Sequence, residues 1–111
     1  MSGGRSSQRK GRAGELELAR ILIDSGIMAA PGEALNYGTE PDVKGIPGIH
    51  AEVKRHERLE INAWTKQAED DAQRFGGAPC VFYRRNREPW RVVMPLSLWV
   101  DMYKAWRGRE C

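Results

Sequence analysis

The chain has 111 residues, of which 41% are hydrophobic and 30% charged, and its formal net charge is +3. This length suits one domain with a modest core, and the composition is ordinary for a soluble globular protein. The sequence has no apolar run near the ~18 residues of a membrane span, no apolar segment of signal-peptide type after the basic N-terminus, and only two cysteines, so we expect a cytoplasmic protein without a membrane partner or a disulfide framework.

The N-terminal segment is basic and free of acidic residues. Residues 1–11 are rich in Ser, Gly and Arg, which predicts a flexible basic arm, with the folded domain over residues 12–111. A second basic cluster lies near residues 84–91, and two such clusters favour contact with a nucleic acid, although a basic tail alone also serves solubility. The predicted DNA-binding residues are Arg5, Arg9, Lys10, Arg12, Arg55, Arg84, Arg85 and Arg87.

The remaining segments alternate between helical and extended patterns. In chain order, we predict a helix over 13–25, a short strand near 27–30, strands in PDVKGI and IHAEVKR, a helix in INAWTKQAEDDAQRF, strands in APCVFYRR and WRVVMP, and a helix in LSLWVDMYKAW. Each helix has one apolar stripe to bury. This order therefore predicts a single α/β domain with a central mixed sheet flanked by helices, α-β-β-β-α-β-β-α.

Three charged side chains are expected to meet at a hairpin. Because side chains of a strand alternate between its faces, Glu52 and Lys54 share one face with His50. Asp42 lies on the preceding strand, and a turn at Pro47-Gly48 can bring it beside Glu52. Two carboxylates with a neighbouring lysine can hold a divalent cation and an activated water. The simpler interpretation is an exposed ion pair on an edge strand.

These residues resemble a known nuclease signature. Pro41-Asp42, nine intervening residues and Glu52-Val53-Lys54 look like the motif of the PD-(D/E)XK nucleases. The opening segment, a basic arm followed by Glu15 early in the first helix, is similar to the start of archaeal and phage Holliday-junction resolvases. The resemblance covers roughly residues 9–95 and implies a restriction-endonuclease-like core.

The resemblance also implies an activity and a set of roles. It implies a Mg²⁺-dependent DNA endonuclease, with Mn²⁺ as a substitute ion, in which Asp42, Glu52, Glu15 and the Val53 carbonyl hold the metal. Lys54 would orient or help deprotonate the attacking water and offset charge on the phosphate. Gln67 corresponds to a glutamine that some relatives place in the site, and the sequence leaves open whether it lies there or on the surface.

Other polar groups have less specific interpretations. Glu69, Asp70 and Asp71 are consecutive on a helix and point in different directions, which indicates a solvated face. Asn36 and Thr39, in the loop before Asp42, are equally suited to bind a phosphate or to form a turn.

The expected substrate is DNA, in particular branched DNA such as a four-way junction, and the expected assembly is a homodimer. The last helix is rich in large apolar groups such as Trp99, Met102 and Trp106, so it either forms a dimer contact or covers one face of the sheet. Two alternatives stay open at this stage. One is a nicking or restriction-like endonuclease on duplex DNA, and the other is a catalytically inactive DNA-binding module.

Overall fold

Three helices and five short strands form the domain. The computed structural model describes residues 3–32 and 41–109, with side chains from residue 11 onward. In chain order the elements are α1 (Gly3–Asp24), β1 (Ala30–Pro31), β2 (Val43–Lys44), β3 (Ile49–Arg55), α2 (Ile61–Phe75), β4 (Ala78–Arg84), β5 (Arg91–Val93) and α3 (Leu96–Gly108). The predicted order of helices and strands is confirmed. Asn36 and Thr39 lie outside the described residues, as do the side chains of Arg5, Arg9 and Lys10.

The first helix is longer than the sequence pattern predicts. It begins at Gly3, so the predicted start at Ala13 is wrong, and most of residues 1–11 continue α1. A turn added to an existing helix needs no new nucleus, and Arg, Lys and Gln are good helix formers. The proposed division of the chain at residue 11 into a flexible arm and a domain stays a prediction.

The sheet is mixed, with its two long strands at the centre. The strand order is β1-β2-β3-β4-β5, in which β3 and β4 are parallel and every other neighbouring pair is antiparallel. Parallel strands need a crossover connection, and α2 provides it. The register pairs Glu52 with Val81 and Lys54 with Tyr83. These pairings fix which β4 side chains accompany the charged residues of β3.

The two long helices cover opposite faces of the central strands. Leu18 and Ala19 of α1 pack with Val43, Ala51 and Val53 in one buried cluster. A second cluster joins Trp64 and Ala68 of α2 to Val81 of β4. Because neighbouring residues of a strand face opposite ways, Ala51 and Val53 point towards α1, whereas Glu52 shares the α2 face with Val81.

The last helix is exposed along its apolar stripe. None of the described residues of α3 is buried. Its exposed apolar side chains are Leu96, Trp99, Met102, Tyr103 and Trp106. The rings of Trp99 and Tyr103 stack with their centres 5.2 Å apart. Within the described part of the chain, no helix combines the length and the hydropathy that a membrane crossing requires.

Candidate active site

The β2–β3 hairpin holds the Asp42 carboxylate against β3. Val43 pairs with Ala51, and the Asp42 amide donates a hydrogen bond to the Ala51 carbonyl at 2.9 Å. The Val53 amide donates in turn to Asp42 Oδ2 at 2.8 Å. The predicted turn therefore brings Asp42 alongside Glu52, because Glu52 lies between the two residues of β3 that bond to Asp42.

Glu52 is a buried carboxyl among other carboxyls. Only 4% of its surface is exposed. Burial, followed by the charge of Asp42 and by contacts with Asp71 and Asp42, raises the pKa of Glu52 from 4.5 to about 9. A buried carboxyl beside like charges favours its neutral form. A divalent cation at this position would favour the ionised form instead and displace the proton.

Helix α1 brings a third acid towards the hairpin. A close approach of the helix to β3 is possible because residue 14 is glycine: a Cβ at Gly14 would lie 2.9 Å from the Cβ of Arg55. The next residue is Glu15, whose pKa is raised by burial and by the charge of Asp42, against the lowering effect of Arg12. The Arg12 guanidinium donates to Glu15 Oε1 at 3.2 Å and to the Gly32 carbonyl at 2.7 Å. Glu15 and Asp42 therefore share one electrostatic environment.

Lys54 and Gln67 are in direct contact. The Lys54 ammonium donates to Gln67 Oε1 at 2.8 Å, linking β3 to α2. The sequence left the place of Gln67 open, and the structure positions it beside the lysine of the hairpin. The amide oxygen accepts a hydrogen bond from the ammonium, so this contact orients the Lys54 side chain.

Asp71 is a residue that the sequence analysis missed. Ligand atoms of His50, Glu52 and Asp71 all lie within 4.8 Å of one another. Glu69 and Asp70 are exposed, as the pattern predicts, whereas Asp71 is half-buried. The available signal was its spacing: residue 71 is four positions after Gln67, so both side chains project from the same face of α2.

Several predicted DNA-binding arginines make contacts within the protein. Arg84 NH1 donates to Glu17 Oε1 at 2.5 Å, and the same carboxylate oxygen accepts from Trp90 Nε1 at 2.8 Å. Arg55 donates to Asn86 Oδ1 at 2.7 Å. Arg12 is engaged by Glu15 and Gly32, Arg85 lies 3.6 Å from a Glu88 carboxylate oxygen, and Arg87 is exposed. The contact between Arg84 and Glu17 ties β4 to α1, which is a structural role that the sequence did not reveal.

The types of donor at the hairpin suit a divalent cation. Asp42, Glu52 and Glu15 supply carboxylate oxygens, and hard cations such as Mg²⁺ bind through oxygen donors. Val53 also offers a backbone carbonyl at the same part of β3. Burial and then the neighbouring carboxylates raise the pKa of Glu52, and a bound cation would offset both effects by favouring the ionised form.

The element order, the mixed sheet and the placement of two acids and a lysine on one hairpin define the class as a restriction-endonuclease-like domain of PD-(D/E)XK type. The family model described as "Phage putative PDDEXK endonuclease" matches residues 6–110, so the chain belongs to this family of nucleases. Both the predicted family and the predicted fold are confirmed.

A solved structure shares the fold. It is Hjc, a Holliday junction resolvase from the archaeal hyperthermophile Archaeoglobus fulgidus, with a TM-score of 0.54 and 23% sequence identity. The similarity covers 77% of this chain and 72% of that chain. No curated protein sequence matches this chain significantly.

Proposed function

We propose that this protein is a Mg²⁺-dependent endonuclease that hydrolyses phosphodiester bonds of branched DNA. The observation that carries the proposal is the convergence of Asp42, Glu52 and Lys54 at one hairpin, with the Asp42 carboxylate accepting from the Val53 amide at 2.8 Å. Membership of a PDDEXK endonuclease family supports the reaction class. The geometry and the family membership both support the same chemistry.

Each residue has a distinct task in the proposed reaction. Asp42, Glu52 and the Val53 carbonyl hold the cation, and Glu15 contacts it directly or through water. When bound, the cation supplies an activated water and offsets charge on the phosphate. The Lys54 ammonium orients the attacking water and stabilises the negative charge that develops on the phosphate oxygens. Gln67 holds Lys54 in place through its 2.8 Å contact.

Branched DNA is the proposed substrate for two reasons. The proposed site is built on one hairpin and two helices of a small domain, which suits recognition of DNA shape. The protein of similar fold is named as a Holliday junction resolvase. The net charge of this chain, +3, also suits a polyanionic partner. Arg87 and the basic N-terminal segment are proposed contacts with the DNA backbone.

The proposed assembly is a homodimer through α3. Trp99 is 49% exposed and Trp106 is 55% exposed, on a helix with no buried side chain among its described residues. Met102 of this helix lines an apolar cavity of about 180 Å³ together with Phe82 and Val92 of the sheet. Exposed apolar side chains of this kind suit contact with a second copy, and two active sites are needed to cut two strands of a junction.

One experiment distinguishes this function from its alternatives. Labelled four-way junction, flap and plain duplex DNA are incubated with the protein, with and without Mg²⁺. Paired symmetric nicks in the junction alone support the proposal. Efficient cutting of plain duplex would instead indicate a nicking or restriction-like enzyme. Binding of DNA without any cleavage, under every metal condition, would indicate a non-catalytic DNA-binding module.

A further inference from the structure

His50, Glu52 and Asp71 form a mixed group of nitrogen and oxygen donors. His50 Nε2 lies 3.1 Å from Glu52 Oε1, and both residues are almost fully buried, with 2% and 4% of their surfaces exposed. Asp71 of α2 completes the group, and its ligand atom lies within 4.8 Å of the other two. Because Asp71 is half-buried, it marks the side from which an ion can enter.

The turn after α2 keeps this group together. Gly77 has a φ of +89°, and a Cβ there would lie 2.9 Å from the His50 amide nitrogen. The Ala78 amide donates to the Gly48 carbonyl at 2.8 Å, which fixes the same turn to the start of β3. Only glycine allows both the left-handed backbone and this close approach. The end of α2 that bears Asp71 is therefore anchored beside His50 before any ligand binds.

The distances suit one cation. Ligand atoms about 2.1 Å from a metal are separated by about 3 Å when adjacent and about 4.2 Å when opposite in octahedral coordination. The 3.1 Å between His50 Nε2 and Glu52 Oε1 matches the adjacent arrangement. The half-buried Asp71 adds an oxygen within 4.8 Å of both atoms.

The imidazole nitrogen decides which cations fit. Imidazole suits zinc, copper, iron and nickel, and Mn²⁺ binds both to oxygen donors and to mixed nitrogen and oxygen sets, whereas Mg²⁺ prefers oxygen donors and retains its waters. Asp42 and Glu52, by contrast, offer only oxygen. Glu52 thus lies between two groups of donors with different preferences.

We propose that His50, Glu52 and Asp71 bind a divalent transition cation, such as Mn²⁺, at a second position beside the one held by Asp42 and Glu52. The two positions share the Glu52 carboxylate as a bridging ligand. This inference builds on the proposed nuclease function for the neighbouring position, but binding at the second position is measurable without DNA. Because one of its three donors is an imidazole nitrogen, this second position prefers Mn²⁺ to Mg²⁺.

The test is a titration of the DNA-free protein with Mn²⁺, in which electron paramagnetic resonance measures the ion left free. The wild-type protein is expected to bind two ions. His50→Gln and Asp71→Asn should each weaken one of them at least tenfold and leave the other unchanged. Asp42→Asn should instead weaken binding of the ion held by Asp42 and Glu52. The matched control is Asp70→Asn, which removes an exposed carboxylate from the position just before Asp71. This variant should bind Mn²⁺ as the wild-type protein does.

Two further measurements keep the outcome decisive. Circular dichroism and thermal melting report whether each variant is folded, and the half-buried Asp71→Asn decides the question if the fully buried His50→Gln does not fold. In folded Asp42→Asn, Mn²⁺ should broaden the NMR signals of His50 and Asp71. Unchanged Mn²⁺ binding in folded Asp71→Asn would overturn the inference, leaving these residues as a hydrogen-bonded part of the core. Loss of one ion in a protein that cuts no DNA would sustain this inference while rejecting the nuclease proposal.

Discussion

The side chain of Asp42 accepts a hydrogen bond from the backbone amide of Val53 at 2.8 Å. This contact joins β3 to the residue just before β2 and sets the direction of the Asp42 carboxylate relative to Glu52. A backbone donor cannot rotate away as a side chain can. The position of Asp42 is therefore fixed by the hairpin, and its proposed role in catalysis can be tested separately from its role in the fold.

Asp42→Asn tests the proposed metal position. The amide oxygen of asparagine can still accept from the Val53 amide, so the hairpin should stay intact while the carboxylate charge is lost. We expect cleavage of a four-way junction to fall by roughly 100-fold or more, with DNA affinity almost unchanged. Single-turnover cleavage and a gel-shift titration measure the two effects. Asp24→Asn, at an exposed position near the end of α1, is the control, and equal activity of both variants would refute the assignment.

Lys54→Ala and Gln67→Ala should form a graded pair. Loss of the Lys54 ammonium removes a charge beside the reacting phosphate, which should cost about 100-fold in the rate of the chemical step. Loss of Gln67 keeps that charge but removes the contact that orients the Lys54 side chain, so we expect a smaller decrease in rate, of about tenfold. Single-turnover rates at saturating Mg²⁺ measure both. Lys66→Ala removes an exposed lysine of α2 as a control. A greater loss in Gln67→Ala than in Lys54→Ala would contradict these roles.

The burial of Glu52 predicts how stability changes with pH in the metal-free protein. The pKa of Glu52 is about 9 in the folded chain and 4.5 in the reference state, so between these values the folded protein binds more protons than the unfolded one. The free energy of unfolding should therefore decrease as pH rises from about 4.5 to about 9. Glu52→Gln cannot ionise and should show a shallower decrease and a higher melting temperature at pH 8.

Thermal melts in the presence of a chelator test this pH dependence. Glu69→Gln, at an exposed position of α2, is the matched control and should retain the slope of the wild-type protein. Parallel curves for the wild type and Glu52→Gln would show that Glu52 ionises normally. Addition of Mg²⁺ should stabilise the wild type more at pH 8 than at pH 5, because the cation competes with the proton for this carboxyl.

The α3 surface predicts the behaviour of a dimer variant. Replacing Trp99 and Trp106 together by serine should leave the domain folded, since no described α3 side chain is buried. It should raise the dimer dissociation constant at least 100-fold, because aromatic side chains dominate the energy of most interfaces. Light scattering after size-exclusion chromatography measures the mass. A monomeric wild-type protein would contradict the proposed assembly, and unchanged dimerisation of the variant would move the interface elsewhere.

Arg84 should contribute to stability more than to DNA binding. It donates to Glu17, which also accepts from Trp90, so Arg84→Ala leaves a partly buried carboxylate without its cation. We expect a loss of about 1–3 kcal/mol in the free energy of unfolding. Arg87→Ala, at an exposed position of the turn that follows β4, should cost little stability but weaken DNA binding. Urea unfolding and salt-dependent gel shifts distinguish the two residues, and the reverse pattern would refute this division.

Local patterns were sufficient for the hairpin and for the order of elements. Pro47 and Gly48 announced the turn, and alternation along β3 placed His50 beside Glu52, where the structure has them 3.1 Å apart. The contact of Arg84 with Glu17 was hidden because it joins positions 67 apart in the chain. Only packing of β4 against α1 brings these two side chains together.

The helices show the other limits of sequence reasoning. Three consecutive acids on α2 are equivalent in the pattern, and only the rotation of the helix on the sheet turns Asp71 inward while Glu69 and Asp70 remain exposed. That rotation follows from burial of Trp64, Ala68 and Ala72. The start of α1 at Gly3 was hidden because glycine and serine, which dominate residues 2–7, are poor helix formers. The sequence pattern therefore misses a site residue when neighbours of the same type differ only in how the helix packs on the sheet.

The parallel pairing of β3 with β4 has a consequence for how the site is assembled. Asp42 and Glu52 meet through a short hairpin, which closes a small loop at low entropic cost. Gln67 and Asp71 reach them only after α2 has crossed over and β4 has paired in register with β3. Contacts between positions far apart in the chain carry a larger loop-closure cost and slow folding. We therefore expect a newly made chain to form its acidic hairpin first and to complete its set of donors only with the finished sheet, so that nuclease chemistry awaits the native fold.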